Sequence, residues 1–440
     1  MESTQKTALI IPPCSDFNRG DQALVLETAA VIEKTMNIDN IYMMSNNDTK
    51  QCEELGLKQF NPILKHPSRL TKKSSNLNYN FMLKLKWGII SIFDILFSLS
   101  VKYNVLRKLV KKVAKEETRK SIELYENADV VFVKGGGFMH DYSGGLIGRY
   151  TMYYQMYHID LALKLKKQEY IMPNSYGPFK NKKNIKYVNK ILNKCKFVSA
   201  RESISASKET NGLSRNIDLY PDLGFFLTMD ESKDIKNKII NQYRIDVENK
   251  KYVAITVRPY RFYGSKDPKQ KYEEYKKSFT KIVEYLNSLE YNVLLVVHTR
   301  AENDHENDEK CIREIYEMIE DKSKCIVIKD DNLNCKQIKL IYSFCDFIIG
   351  TRFHSVIFSL EKMIPAIAIT YGGHKGDGIM KDMHLSEYAI KIDEISYEIL
   401  KEKIDLLLKN KDQIRNNIAK YLEWTNKKYE EMIEIIKSKQ

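Results

Sequence analysis

No two cysteines in this chain stand at Cys-x-x-Cys spacing, and the seven present (Cys14, Cys52, Cys195, Cys311, Cys325, Cys335, Cys345) are odd in number. That pattern signals neither a disulfide framework nor a zinc site, and it fits a reducing cytoplasm. Proline and glycine are scarce, 10 and 18 of 440 residues, which excludes collagen-like and low-complexity architectures. No internal period of solenoid length recurs. Nor is there a run of about 18 uncharged apolar residues of the kind a spanning helix needs. The densest apolar stretch, Phe81–Val101, is interrupted by Lys84, Lys86 and Asp94. The polar start, Met1–Lys6, runs straight into Thr7–Pro12, which is too short and wrongly flanked for a signal peptide. No spacing of histidines or carboxylates calls for a metal, so none is expected. The formal charge of +13 is spread as lysine among many asparagines and isoleucines, and no basic stripe interleaved with aromatics calls for a nucleic-acid partner.

What remains is a chain with 43% hydrophobic residues, long enough for two domains that each bury a core. Short apolar runs alternate with helix-length segments in two series. The first holds strands at Ala8–Ile11, Ile41–Met44, Ala128–Val133, Tyr170–Pro173 and Phe197–Ala200. The second holds strands at Tyr252–Val257, Val293–Val297, Cys325–Ile328, Phe347–Ile349 and Ala366–Ile369. Such alternation predicts parallel sheets, so the fold class is α/β with two Rossmann-like, doubly wound domains. The polar stretch 206–224 is expected to hold the boundary. Residues 1–212 then form the N-terminal domain, with a helical insertion at about 66–120. Residues 213–395 form the C-terminal domain, and 396–440 a helical tail. Phe81–Val101 with its basic flank (Lys102, Arg107, Lys108, Lys111, Lys112) either lies in the interface of an anionic leaflet or packs on the domain or on a second subunit.

The densest chemistry lies between Ser343 and Lys375. An apolar strand closes at Gly350, and a helical pattern resumes at Ser355, so Arg352 and His354 sit at a strand-to-helix turn. In open α/β sheets that turn lies at the carboxyl ends of the strands, where a starting helix offers free N–H groups to an anion. The loop after the next strand carries Tyr371, Gly372, Gly373, His374 and Lys375 to the same edge. Other strand ends add Arg258, Arg201, the glycines Gly135, Gly136 and Gly137, and the pair His140 and Asp141. His298, His305, His374 and His384 read as surface or loop residues.

Four motifs together resemble the polysaccharide pyruvyl transferases: the turn Asn18-Arg19-Gly20-Asp21, the triplet Gly135–Gly137 after a strand, Arg201-Glu202-Ser203 at a strand end, and Arg352-x-His354 followed by the Lys375 loop. The chain departs from the family at Ile364 and at Glu361-Lys362. The resemblance implies a glycosyltransferase-B-like pair of domains facing a cleft, with the acceptor on the N-terminal side, the donor on the C-terminal side, and the tail returning to the N-terminal domain. It implies a ketal-forming transferase that moves pyruvate from phosphoenolpyruvate to a sugar of a cell-surface polysaccharide or its lipid-linked precursor, without a cofactor. On that reading Arg352, Arg201 and Lys375 bind the anion, His354 and then Lys375 protonate the enol, and Asp141, His140 or Asp21 takes a proton from the sugar; Arg258, at a strand end, either joins the substrate side of the crevice or makes a structural ion pair. Asn18 and the three glycines line the substrate. A cytoplasmic location, a hold on the inner face of the membrane and self-association are further expectations. Two other readings stand beside this one. A nucleotide-sugar glycosyltransferase would use the same two-sheet fold, and a non-catalytic polymer-assembly protein would keep the fold without the chemistry.

Overall fold

The computed structural model describes residues 5–45, 48–65, 81–141, 145–301 and 304–440, with only the backbone given for 81–84. It divides into two compact units. Unit 1 holds the chain up to Asp16, Leu24–Leu223 and Lys428–Gln440; unit 2 holds Phe17–Ala23 and Gly224–Lys427.

Unit 1 is built on a parallel sheet. Its strands are β1 (Thr7–Cys14), β2 (Asn40–Ser45), β3 (Lys58–Phe60), β4 (Val130–Val133), β5 (Gly136–Asp141), β6 (Gln168–Phe179), β7 (Phe197–Ala200) and β8 (Asp218–Leu219). They run in the order β3-β2-β1-β4-β6-β7-β8, with β5 paired to β6 outside that path. The central strands are buried on both faces, as parallel strands covered by helices must be. Leu9, Val131, Ile171 and Val198 lie in one apolar core with Met152, Met156 and Tyr157 from the helix Gly145–Lys164.

Of the expected insertion, 66–80 lies outside the described residues. From Phe81 onward it consists of three helices, Phe81–Lys102, Asn104–Val113 and Glu116–Asn127. The stretch 206–224, read as a polar boundary, carries β8, and the change of unit falls within it, after Leu223. β5 is a difference from the sequence reading. Its Gly136-Gly-Phe-Met-His-Asp141 has no apolar run to announce a strand, yet its backbone pairs in parallel with β6.

Unit 2 contains β9 (Lys251–Thr256), β10 (Tyr291–Val296), β11 (Cys325–Ile328), β12 (Phe347–Gly350), β13 (Ala366–Thr370) and β14 (Ala389–Lys391), in the order β11-β10-β9-β12-β13-β14. All pairings are parallel. This is the doubly wound order 3-2-1-4-5-6, whose direction of winding reverses between β9 and β12. Every loop that leaves the carboxyl end of β9, β10, β12 or β13 therefore emerges on one edge of the sheet. Of the C-terminal stretch, the helix Tyr397–Lys409 belongs to unit 2. The helix Lys411–Ser438 begins there, and its last turns, from Lys428, belong to unit 1. In unit 1 those turns bury Met432, Ile433 and Ile436, and the Tyr170 hydroxyl donates to the Lys439 carbonyl at 2.8 Å.

Candidate functional site

The switch point of the unit 2 sheet is where its charges collect. Gly350 ends β12, and the helix Phe353–Glu361 starts three residues later, so Arg352 is the cap residue and His354 lies in the first turn. A Cβ on Gly350 would meet the Val356 side chain at 2.6 Å and Ser355 Oγ at 2.9 Å. Glycine is thus what lets the strand turn so tightly into the helix. The Thr256 hydroxyl, at the end of β9, accepts from the backbone N–H groups of Thr351 and Arg352 at 3.1 and 3.3 Å. These bonds tie the cap to the neighbouring strand.

Arg352 is 8% exposed, and its guanidinium is held by carboxylates. Nε and Nη2 donate to Asp308 Oδ1 at 2.9 and 2.7 Å, Nη2 donates to the Glu306 carbonyl at 2.8 Å, and Nη1 reaches Glu306 Oε2 at 3.3 Å. The other oxygen of the wholly buried Asp308 accepts from Thr299 N–H at 2.8 Å, so this carboxylate is fixed in place. Burial works against the charged Arg352, but Asp308, Tyr371 and Glu306 outweigh it and push the guanidinium above its usual range. Arg258, two residues past β9, donates Nη2 to Glu306 Oε1 at 2.9 Å and stacks over the Tyr371 ring at 4.4 Å. Glu306 therefore bridges the two arginines. Burial disfavours its charge, yet Arg258 and Arg352 together hold its carboxyl below the usual range.

His354 is 8% exposed, and its Nδ1 lies 3.2 Å from Lys375 Nζ. Lys375 opens the helix Lys375–Asp382 after β13, and its ammonium lies 5.5 Å from the Phe353 ring centre. If the ammonium donates, Nδ1 accepts, and the ring proton is placed on Nε2. The other wall of His354 is the backbone of Gly20. A Cβ there would fall onto Nδ1 and stand 2.6 Å from Cγ. Gly20 lies in the first turn of the helix Arg19–Thr35, which Asn18 caps. Asp21 N–H donates to Asn18 Oδ1 at 3.3 Å, and Asn18 Nδ2 donates to Asp21 Oδ2 at 3.0 Å. This turn belongs to unit 2. Asn18 bridges Thr299, Arg300 N–H donates to the Phe17 carbonyl at 2.7 Å, and Arg19 N–H donates to the His298 carbonyl at 3.3 Å.

Arg258, Arg352, His354, Lys375, Asn18 and Asp21 are thus all in unit 2, on the carboxyl edge of its sheet or on the turn bonded to it. There the cations Arg258, Arg352 and Lys375 meet the carboxylates Glu306, Asp308 and Asp21, and the buried Arg19 stands nearby with Nη2 on the Asp331 carbonyl at 3.1 Å. Reading the sequence missed Glu306, Asp308 and Arg19. Nothing in the spacing marks the two carboxylates, because the Arg352–Asp308 pair is 44 residues apart in the chain. His298, read from the sequence as a surface or loop residue, is 2% exposed. Its Nδ1 is 2.9 Å from the Tyr342 hydroxyl, and burial, then the positive neighbours His354, Arg352, Arg19 and Lys375, drive its pKa well below the usual value.

The remaining predicted site residues are in unit 1. Arg201 is wholly buried: Nε donates to Ser175 Oγ at 2.8 Å and Nη1 to Asp222 Oδ2 at 2.8 Å, with Glu202 at 3.8 Å. Of the glycine triplet, read as an approach for a ligand, Gly135 and Gly136 are buried and Gly137 is exposed. A Cβ on Gly137 would meet Arg201 Nη2 at 2.8 Å, one on Gly135 would meet the Pro173 carbonyl at 2.9 Å, and one on Gly136 would press on Phe138 at 3.3 Å. Asp141 is 1% exposed. Its Oδ2 accepts from Asn181 N–H at 3.1 Å and Asn184 Nδ2 at 2.8 Å, and Gly148 leaves room for Oδ1. These contacts tie the start of the helix Lys182–Leu192 to β5. His140 lies on β5 next to it, and burial lowers its pKa to about 4 despite Asp141. Among the described residues no three His, Cys, Asp or Glu side chains are grouped to hold a metal.

Comparison with known proteins agrees with this frame. Solved structures similar over nearly the whole chain include a glycosyltransferase from Rickettsia africae (TM-score 0.50, 14% identity, 99% of each chain). Another is the UDP-GlcNAc 2-epimerase of Neisseria meningitidis bound to UDP-GlcNAc (TM-score 0.56, 10% identity, 94% of each chain). At such identity they show a shared fold, the two-sheet α/β architecture of glycosyltransferase-B enzymes. Among curated proteins, the amylovoran biosynthesis protein AmsJ of Erwinia amylovora is 27% identical over 297 residues, 67% of this chain and 69% of AmsJ. A model of the family described as polysaccharide pyruvyl transferase matches residues 18–373, a span that opens on the Asn18 cap and takes in Arg258, Glu306, Asp308, Arg352 and His354. The chain belongs to the polysaccharide pyruvyl transferase family, and it is a transferase.

Proposed function

We propose that this enzyme transfers pyruvate from phosphoenolpyruvate to two hydroxyls of one sugar of an extracellular polysaccharide or its lipid-linked precursor, and that the donor binds at the switch point of the unit 2 sheet. The observation that carries this reading is the convergence of Arg352, Arg258 and the His354–Lys375 pair on one sheet edge beside a helix start. Phosphoenolpyruvate is a compact polyanion with a carboxylate and a phosphate. Arginine forks match those planar and tetrahedral oxyanions, and a lysine ammonium supplies a mobile point charge. Glu306, whose side chain is 48% exposed, occupies the arginines that the donor would use, and it would swing aside, whereas the buried Asp308 stays and keeps Arg352 aimed.

The chemistry then needs a proton delivered to C3 of the enol. That makes C2 electrophilic, and His354, backed by Lys375, is the proposed donor. A first sugar hydroxyl adds to C2 and gives up its proton. The C2–O bond to phosphate breaks with its electron pair on the phosphate oxygen. The second hydroxyl adds to C2, loses its proton and closes the ketal. Of the three candidate bases, Asp21 lies next to Gly20, which touches His354, while Asp141 is committed to Asn181 and Asn184; we therefore assign the hydroxyl proton to Asp21. The likeness to an amylovoran biosynthesis protein supports a polysaccharide acceptor. The seven cysteines, all free, support a cytoplasmic site of action.

Phosphate release from phosphoenolpyruvate, measured against a panel of glycans and lipid-linked sugars, tests the reading. Release that requires one acceptor and yields a ketal-bearing product is expected. No release across the panel, with hydrolysis of a nucleotide sugar instead, would replace this donor with a nucleotide sugar.

A further inference from the structure

The two helices Phe81–Lys102 and Asn104–Val113 of unit 1 meet at a bend of 117° and sort their residues by face. The inward face is anchored. Ser98 Oγ shares a hydrogen bond with Tyr153 at 2.7 Å, Lys102 Nζ pairs with Asp160 at 2.6 Å, and Arg107 and Lys111 pair with Glu126 at 2.8 and 2.7 Å. The outward face is apolar. Ile89, Phe93 and Leu96 recur at helical spacing on the first helix, and Val105, Leu109 and Val113 on the second. Phe93 is 67% exposed and Val105 73%. A monomeric protein rarely leaves so continuous an apolar face in water.

The charges decide what covers it. Between 85 and 113 every exposed charged residue is a lysine, Lys86, Lys108 and Lys112, and the acid Asp94 is half-buried. The other cations, Lys102, Arg107 and Lys111, are neutralised by partners on neighbouring helices. Among the described residues no helix is by itself long and apolar enough to cross a bilayer, and the bent pair cannot continue as one straight rod. We propose that this bent helix pair is a peripheral docking face for an anionic phospholipid leaflet, its apolar stripe lying at the level of the acyl chain boundary and its lysines among the headgroups. A second copy of the chain suits the face less well, because a two-fold contact would bring the same lysines together without an exposed acid between them. The inference is independent of the donor chemistry proposed above.

Sedimentation of the full chain with vesicles tests it. The protein is expected to pellet with mixed phosphatidylglycerol and phosphatidylcholine vesicles, to stay in solution with phosphatidylcholine alone, and to be released by salt. Phe93→Glu with Val105→Glu should lower partitioning roughly tenfold or more, because each change places a charge where apolar area would be buried. Lys108→Ser with Lys112→Ser keeps the stripe intact and should lower pelleting with the anionic vesicles toward that with phosphatidylcholine alone, so a fold defect in the first pair would not leave the matter open. Binding that ignores lipid charge, or survives the glutamate pair, overturns the proposal. So does a dimer in velocity sedimentation that dissociates in the glutamate variant, since a second copy would then own the face.

Discussion

Arg201 in unit 1 and Arg352 in unit 2 look alike in the sequence, each following a short apolar strand and each expected to clamp an anion, but their surroundings differ. Arg201 has no exposure and is boxed by Asp222, Ser175 and Glu202, with Gly137 leaving room for its Nη2. Arg352 caps a helix at the reversal point of its sheet, shares a half-exposed carboxylate with Arg258, and stands two residues from a histidine paired with a lysine. The Arg201 pair is closed to solvent, with Nη2 left without a hydrogen-bond partner among the described residues beside Gly137, whereas the Arg352 pair includes one movable anion that a ligand can replace. The glycines repeat the contrast, Gly137 making room for Arg201 and Gly20 for His354.

The sharpest way to break this comparison is at the glycines. Gly20→Ala should push the His354 ring out of place, so turnover should fall about 10²–10⁴-fold, as for His354→Ala, the range of a lost general acid. Donor affinity, read by calorimetry, should change much less in both variants. Normal turnover in Gly20→Ala would show that the position of the ring does not matter.

Next comes the pair of arginines. Arg201→Ala leaves Asp222 and Glu202 buried without their cation and should cost about 3–5 kcal/mol of stability in urea denaturation, the range for breaking a buried pair. Arg352→Gln combined with Asp308→Asn leaves no unpaired carboxylate and should instead weaken phosphoenolpyruvate binding by about 1.5–3 kcal/mol. A donor-affinity loss in Arg201→Ala with stability intact would reverse the two roles.

Acid should act on both units through their buried histidines. His298 in unit 2 and His158 in unit 1 have pKa values pushed down by burial, that of His158 to about 3, while Ile63 N–H donates to its Nε2 at 3.2 Å. An unfolded histidine takes up its proton as the pH falls through its ordinary value of 6.5, and the folded one does not. The unfolded state then holds more protons, so stability is full above that pH and is lost as the pH falls below it, by about 1.4 kcal/mol per pH unit for each histidine. Denaturation midpoints from pH 7 downward should show this slope, and His158→Gln should flatten it. Glu306 adds to the loss further down, since its depressed pKa makes its contribution vanish as the pH falls below the carboxylate range.

The smallest effect is expected at Glu306 itself. Glu306→Gln frees part of Arg258 and Arg352 and should tighten phosphoenolpyruvate binding a few-fold, the scale of one partly exposed charge pair. Weaker binding would mean that the carboxylate holds the arginines in place rather than competing with the donor.

Much of the fold was legible because parallel strands buried on both faces must be continuous apolar runs, and Tyr252–Thr256, Val293–Val296 and Phe347–Ile349 are such runs. β5 escaped because its ladder is made by backbone groups that no side chain pattern reports. The turn at Arg352 and His354 could be placed from Gly350 and the helical spacing after it. The two consecutive loops also brought Lys375 to the same edge, whereas that Gly20, 334 positions upstream of His354 in the numbering, would form the wall of its ring could not be read in that way.

Taken by itself, the sequence determined the two β/α series, the helix starts and the kinds of charged group placed at strand ends, because these follow from local periodicity and from which residues a backbone turn tolerates. The tertiary structure alone decided which of those groups are bound to one another. It gave Asp308 and Glu306 to Arg352, Asp222 to Arg201 and Asn184 to Asp141. The physical reason is that a buried charge must find a counter-charge wherever the folded chain brings one within a few ångströms, and that distance is set by sheet order and helix packing, not by separation along the chain.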